Sequence, residues 1–119
     1  MKSPKQLAHS VGHAFRGFFI ALKSETSLKI QTSLGIIAIG LGIYLKITTT
    51  EWIFIVLCIS AVLTTETINS SIEELADRVT LENDPMIKKV KDMAAGAVLI
   101  AASAALLIGA IIFIPKFIA

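Results

Sequence analysis

Four polar residues, three acids and one amide, recur at helical spacing just after an apolar stretch of the sequence. They lie at positions i, i+3, i+7 and i+11 of one segment: Glu66, Asn69, Glu73 and Asp77. At about 100° per residue these positions span about 80° of a helix, so they form one polar stripe. A carboxylate at membrane depth costs about 3 kcal/mol or more and is a functional residue by default. Glu66 therefore carries either chemistry or a structural hydrogen bond between helices, whereas Glu74 fits a solvated helix end.

Lys91 and Asp92 stand just before the longest charge-free stretch, residues 93–115. A lysine in the early turns of a helix opposes the helix dipole, so either a nearby anion or snorkelling toward lipid headgroups relieves it. Paired carboxylates suit Mg²⁺, which usually binds one or two of them together with substrate phosphates. A further carboxylate can take a proton from a hydroxyl, and Lys91 can steady a phosphate. These are the groups that phosphoryl transfer needs, and no Ser/His/Asp set competes with them.

The elements that position these groups are predicted to be membrane helices. The chain has 119 residues, enough for one domain, of which 55% are hydrophobic and 17% charged, and its mean hydropathy is +0.78. A soluble domain of this size cannot hide so much apolar surface. Since a spanning helix needs roughly 20 mainly apolar residues, we predict an all-α membrane protein. Its three transmembrane helices are expected at about 29–47, 51–81 and 85–115.

Local signals indicate where the second and third membrane helices begin. Thr48 and Glu51 have the spacing of a capping box, which starts a helix there. A helix that runs on to Leu81 is about 45 Å long, well beyond the ~30 Å hydrocarbon core of a bilayer. Its last turns therefore project into the cytoplasm. Asp84 is the expected N-cap of the third helix, with Pro85 as its first residue.

Residues 1–24 are predicted to form an amphipathic helix on the membrane surface. Apolar side chains fall on one face: Leu7, Val11, Ala14, Phe15, Phe18 and Leu22. The other face carries the basic residues and both histidines: Lys5, His9, His13, Arg16 and Lys23. A basic amphipathic helix of this kind lies in the membrane interface. The two histidines lack a third ligand, so a zinc site is not favoured.

The distribution of charge predicts the orientation in the membrane. Lysine and arginine are concentrated before the first span and between the second and third, while the other side has only Lys46 and Lys116. The positive-inside rule then places the N-terminus in the cytoplasm and the C-terminus outside. The net charge of +2 is too small to indicate nucleic-acid binding. Cys58 is single, so it forms no internal disulfide and fits a small core residue.

Two segments carry a resemblance to a known family. Residues 66–78 read ETINSSIEELADR, and residues 90–100 read VKDMAAGAVLI. The first segment follows the pattern E-x-x-N-[ST]-[SA]-[IV]-E-x-x-x-D, and in the second a K-D pair leads into an apolar helix. The chain resembles the prokaryotic diacylglycerol kinase family, which includes the undecaprenol kinases. The resemblance extends over essentially the whole chain, including Glu25 at the break before the first span.

The resemblance implies a single domain, residues 1–119, that forms a homotrimeric bundle in the bacterial inner membrane. It implies a kinase of phospholipid biosynthesis that uses ATP and Mg²⁺ at the cytoplasmic face. The acceptor would be the primary hydroxyl of a membrane lipid alcohol. That alcohol could be undecaprenol or diacylglycerol, because no feature of the sequence distinguishes the hydrocarbon chains of the two lipids. Small residues at every fourth position of the third span fit close packing against a neighbouring helix: Ala97, Ala101, Ala105 and Gly109.

The resemblance also implies roles for the polar residues of the stripe. Glu66 would be the general base on the lipid hydroxyl, and Asn69 would position groups beside it. Glu25 and Glu73 would be ligands of Mg²⁺ that also meet the nucleotide. Lys91 would contact a phosphate of the nucleotide.

Further positions are implied around the nucleotide. Asp92 would support nucleotide binding, and His13 on the surface helix would approach the nucleotide. The turn before the third span would also touch it: Glu82, Asn83 and Asp84. Asp77, which is also in the motif, would either have a structural role or support a neighbouring residue of the site.

Two other classes of protein fit part of the pattern. A small transporter or channel subunit would use Glu66 as a proton-relay acid. That class does not account for the acids and the lysine gathered at one rim, and it predicts polar residues in the outer halves of the helices, which are almost free of them. A non-catalytic membrane scaffold would be expected to have lost some of the acidic residues of the motif, yet every one of them is present.

Overall fold

The computed structural model describes residues 1–119 and contains four α-helices and no strand. The helices are α1 Pro4–Ser24, α2 Thr26–Leu45, α3 Thr49–Val79 and α4 Pro85–Ile118. Three of them, α2, α3 and α4, are long and apolar enough to cross a membrane. The prediction of an all-α protein with three membrane helices is therefore confirmed.

Side-chain caps begin α3 and α4 where the sequence predicted them. In the capping box of α3, the Glu51 N–H donates to Thr48 Oγ1 at 3.2 Å and the Thr48 N–H donates to Glu51 Oε1 at 2.9 Å. At the start of α4, Asp84 Oδ1 accepts from the N–H groups of Met86, at 2.8 Å, and Ile87, at 3.2 Å. These bonds satisfy amide groups that have no partner inside the helix.

Two ends of the membrane helices differ by three residues from the sequence prediction, while the end of α2 and both ends of α3 differ by two. α2 begins at Thr26, rather than near residue 29, because only Glu25 leaves the helical conformation between α1 and α2, with φ −105° and ψ 114°. The chain therefore turns without a loop, and Glu25 is held between two helix ends. α4 continues through Pro115 to Ile118. A proline lacks its own N–H and crowds the preceding turn, but the residues after it keep their N–H groups. The last turn closes because the Ala119 N–H donates to the Pro115 carbonyl oxygen at 3.0 Å.

α3 is the central helix, and α4 packs antiparallel along it. An ion pair joins the two helices near each end. Lys91 Nζ lies 2.5 Å from Asp77 Oδ1, and at the far end Lys116 Nζ lies 3.2 Å from Glu51 Oε1. The protein's small buried apolar cluster lies toward the far end: Ile47, Ile55 and Ile112. Both ion pairs agree with a single register of α4 against α3.

Two glycines let α2 approach α3 closely. A Cβ atom at Gly42 would lie 2.8 Å from Cη2 of Trp52, and one at Gly35 would lie 3.3 Å from Cγ2 of Ile59. The two pairs are equally spaced on both helices, so they define one antiparallel register of α2 against α3. This register carries the N-terminal end of α2 to the C-terminal half of α3, where the polar stripe lies.

The outer faces of the bundle are apolar and uncovered. Only 12 of the 119 residues are buried, and none of them lies on α1. α2 and α4 both pack on α3 and leave an open groove of about 620 Å³ between them, in which Gln31 is the one amide among apolar residues. A surface with so much exposed apolar area requires a lipid or protein environment.

Candidate active site

The buried polar residues of the protein all lie on α3. They are Glu66, Asn69 and Ser70, with exposed fractions of 4%, 8% and 5%. Burying a carboxylate is unfavourable unless other groups bind or compensate its charge. The surroundings of Glu66 therefore define the candidate site.

The packing of α2 on α3 brings a second acid, Glu25, to Glu66. Leu28, one turn further along α2, is fully buried at 0% exposure and anchors this end of α2 in the bundle. The carboxylates of Glu25 and Glu66 lie within electrostatic reach of each other, although they are far apart in the sequence. The break of a single residue between α1 and α2 fixes the direction in which the chain presents Glu25.

Glu73 is the third acid of the group. Its carboxylate acts electrostatically on Glu66, and the amide of Asn69 lies beside the Glu66 carboxylate. Asn69 Nδ2 also donates to Glu73 Oε1 at 3.4 Å. The ion pairs of the protein involve none of Glu25, Glu66 and Glu73. These three residues, which we call the acidic cluster, therefore concentrate negative charge without a counter-cation.

The donor atoms of the acidic cluster fit a hard divalent cation such as Mg²⁺. They are carboxylate oxygens, and Oδ1 of the adjacent Asn69 is buried without a hydrogen-bond partner. No three His, Cys, Asp or Glu side chains converge to hold a metal ion alone. Mg²⁺ binds one or two carboxylates and completes its shell with water and phosphate oxygens. Two carboxylates are therefore enough protein ligands for an ion of that kind.

Lys91 brings a positive charge to the edge of this site. It lies in the second turn of α4, and its ammonium group contacts Asp77, one turn beyond Glu73 on α3. The sequence left two alternatives for a lysine at this position, a nearby anion or snorkelling toward headgroups. The structure places Asp77 as an anion beside it. The two side chains are 37% and 48% exposed, so solvent and solutes can reach them.

The remaining candidate residues lie apart from the acidic cluster. Asp92 pairs with Lys88 of its own helix at 2.5 Å. The turn residues are exposed, and one of them is occupied as the cap of α4: Glu82, Asn83 and Asp84. His13 is exposed on α1, where it lines a shallow surface pocket with His9 and Arg16. These residues form no ion pair with the acidic cluster.

Two contributions to the site did not follow from the polar stripe. Leu28 anchors α2 beside Glu66. An apolar residue one turn after Glu25 is the feature of the sequence that could have indicated this anchor. The pairing of Asp77 with Lys91 could not be read from the distance to the turn. Asp77 lies two residues before the end of α3, whereas Lys91 lies six residues after the start of α4.

The comparisons with known proteins agree on one family of membrane enzymes. The profile described as Prokaryotic diacylglycerol kinase matches residues 12–113. The chain is 32% identical over 104 residues to the undecaprenol kinase of Bacillus subtilis, which covers 87% of this chain and 85% of that protein. It is 31% identical over 98 residues to the diacylglycerol kinase of Pseudomonas aeruginosa, with 82% and 79% covered. The diacylglycerol kinase of Helicobacter pylori is 33% identical over 99 residues, with 83% and 77% covered.

These matches, with three membrane helices and one buried acid, define a small multi-pass membrane kinase. The chain belongs to the prokaryotic diacylglycerol kinase family. It is thus a transferase that phosphorylates a lipid alcohol, and its family implies a nucleotide as phosphate donor. The transporter or channel alternative is not favoured.

Proposed function

We propose that this protein transfers the γ-phosphoryl group of ATP to the primary hydroxyl of a membrane lipid alcohol, with Mg²⁺, at the cytoplasmic face. The observation that carries the proposal is the buried Glu66 carboxylate in the acidic cluster, which has no counter-cation. Acids gathered in this way either take up protons or bind a cation. MgATP supplies a cation together with the phosphate to be transferred.

Glu66 is the general base of the proposed reaction. It takes the proton of the lipid hydroxyl, whose oxygen attacks the γ-phosphorus while the bond to the β-phosphate oxygen breaks and ADP leaves. Its depth in a membrane-spanning helix lets the lipid alcohol arrive sideways from the bilayer. Asn69, which contacts both neighbouring acids, holds Glu66 and Glu73 in place.

The nucleotide is proposed to bind on the side of Glu73 that leads out of the membrane. Glu25 and Glu73 would hold Mg²⁺, which would supply positive charge against the charge that develops on the phosphate during transfer. Lys91 would contact a phosphate. Asp92 would support the nucleotide from outside the cluster, as would a second group of residues: Glu82, Asn83, Asp84 and His13.

The assembly and the orientation are part of the same proposal. A homotrimer would cover the apolar faces that a single chain leaves exposed. α1 would lie on the cytoplasmic membrane surface, because its basic residues match anionic headgroups. The N-terminus would be cytoplasmic, in the inner membrane of a bacterium.

The relatives leave two candidates for the lipid alcohol, since they include an undecaprenol kinase and diacylglycerol kinases. The test is transfer of radiolabelled phosphate from MgATP, in detergent–lipid micelles, to undecaprenol and diacylglycerol offered side by side. Glu66→Gln protein prepared in the same way is the background control. Labelling of one alcohol above this background supports the proposal and names the substrate. A folded preparation that labels neither alcohol contradicts it.

A further inference from the structure

Asp77 and Lys91 form the contact between α3 and α4 that lies closest to the acidic cluster. Lys91 Nζ lies 2.5 Å from Asp77 Oδ1. Asp77 is in the last turn of α3, near the negative end of that helix dipole, and Lys91 is near the positive end of α4. Each charge is unfavourable for its own helix, so each relieves the other.

This pairing is selective among the cations at this end of the bundle. Lys88 is bound to Asp92 of its own helix, and neither Arg78 nor Lys89 forms an ion pair. The side chains of Asp77 and Lys91 are 48% and 37% exposed. Exposed ion pairs contribute little to stability, so holding the fold together does not account for this one.

The position of the pair suggests what it does. Asp77 follows Glu73 by one turn on the same stripe, so the ion pair draws the Lys91 ammonium from α4 to the edge of the acidic cluster. An ammonium group has three N–H donors. The contact with Asp77 uses one of them and leaves two for the oxygens of a phosphate.

We propose that Asp77 is a positioning residue, which holds the ammonium of Lys91 beside Glu73 in the orientation that receives a phosphate of the nucleotide. This inference rests on the proposed kinase function. Without Asp77 the lysine side chain would move freely in solvent, and each binding of nucleotide would have to order it again.

The test begins with the wild-type protein and MgATP as the varied substrate. We expect Asp77→Asn to raise the KM for MgATP about tenfold, as expected for loss of one charged hydrogen bond. The KM for the lipid alcohol and the amount of folded protein should stay unchanged. Asp77→Glu should restore most of the affinity, because it keeps the carboxylate. Glu74→Gln, an exposed acid three residues before Asp77, is the matched control and should leave the KM for MgATP unchanged.

A double variant decides whether Asp77 acts through Lys91. If it does, Asp77→Asn adds no further increase in the KM for MgATP once Lys91→Ala is present. An equal increase in both backgrounds would overturn the inference, as would an unchanged KM in the single variant. Loss of folded protein without a change of KM in the folded fraction would show a structural role and overturn it too. A wild-type protein that is folded but inactive refutes the kinase proposal itself, which separates the two failures.

Discussion

At the scale of single residues, the chemistry of this protein depends on where polar groups are buried. Glu66, Asn69 and Ser70 are its buried polar residues, and Glu66 is the one ionisable side chain among them. The spacing in the sequence predicted the stripe on α3. The spacing alone did not predict that Glu25 would join the stripe, because that proximity arises from the packing of α2 on α3; only the family resemblance implied it.

The first prediction concerns the proposed base. Glu66→Gln keeps the size of the side chain and removes its charge, so we expect kcat to fall by about 10²- to 10⁴-fold, the usual contribution of a general base. Folding should be retained, because the amide is less costly to bury than the carboxylate. The measurement is phosphate transfer per folded protein, with Glu74→Gln as the exposed control. Near-normal turnover in Glu66→Gln would remove Glu66 from the role of base.

The second prediction concerns the proposed metal ligand Glu73. Glu73→Gln leaves one carboxylate fewer for Mg²⁺, so half-maximal activity should need about tenfold more free Mg²⁺. The measurement is a titration of activity with Mg²⁺ at saturating ATP. The same Glu74→Gln variant serves as control, because that acid is adjacent but exposed. An unchanged midpoint in the Glu73 variant would contradict its assignment to the metal.

At the scale of helices, the caps could be predicted from the sequence and the packing could not. Thr48, Glu51 and Asp84 indicate the starts of α3 and α4 through local hydrogen bonds, which depend only on neighbouring residues. The start of α2 was placed too late in the sequence. Only Glu25 is extended between α1 and α2, and a break of one residue does not change the amino-acid composition enough to be recognised. α2 and α3 can approach closely because Gly42 has no side chain where Trp52 packs against it. The sequence does not show that these two residues are in contact.

The third prediction follows from that contact. A Cβ atom at Gly42 would lie 2.8 Å from Cη2 of Trp52 and 3.0 Å from Cδ1 of Ile47. Gly42→Ala should therefore lower the free energy of unfolding by about 1–3 kcal/mol, as overpacking does. Gly40→Ala is the matched control, since nothing lies within 4 Å of the Cβ position at Gly40. Denaturant unfolding in detergent measures both, and equal stability of the two variants would contradict the close approach.

At the scale of the whole molecule, composition predicted three membrane helices, and the structure adds how they are arranged. Because α2 and α4 both pack on α3, the apolar groove between them stays open along its length. A hydrophobic block in the sequence indicates that a helix is surrounded by lipid or protein. It does not indicate which face of the helix contacts lipid and which contacts protein. The number of spans could thus be predicted, whereas the groove could not.

From the two ion pairs between α3 and α4 we expect the protein to be sensitive to the thickness of the bilayer. They are 26 residues apart on α3 and 25 apart on α4, which corresponds to about 38 Å along the helices. A hydrocarbon core of about 30 Å leaves both pairs in the headgroup layers, while a thicker one immerses a pair in hydrocarbon. Transfer activity should therefore peak in bilayers of intermediate acyl length and fall as the chains lengthen, and a flat profile across a phosphatidylcholine series would contradict this. Such an enzyme would work best in the one membrane of a cell whose hydrophobic thickness it matches.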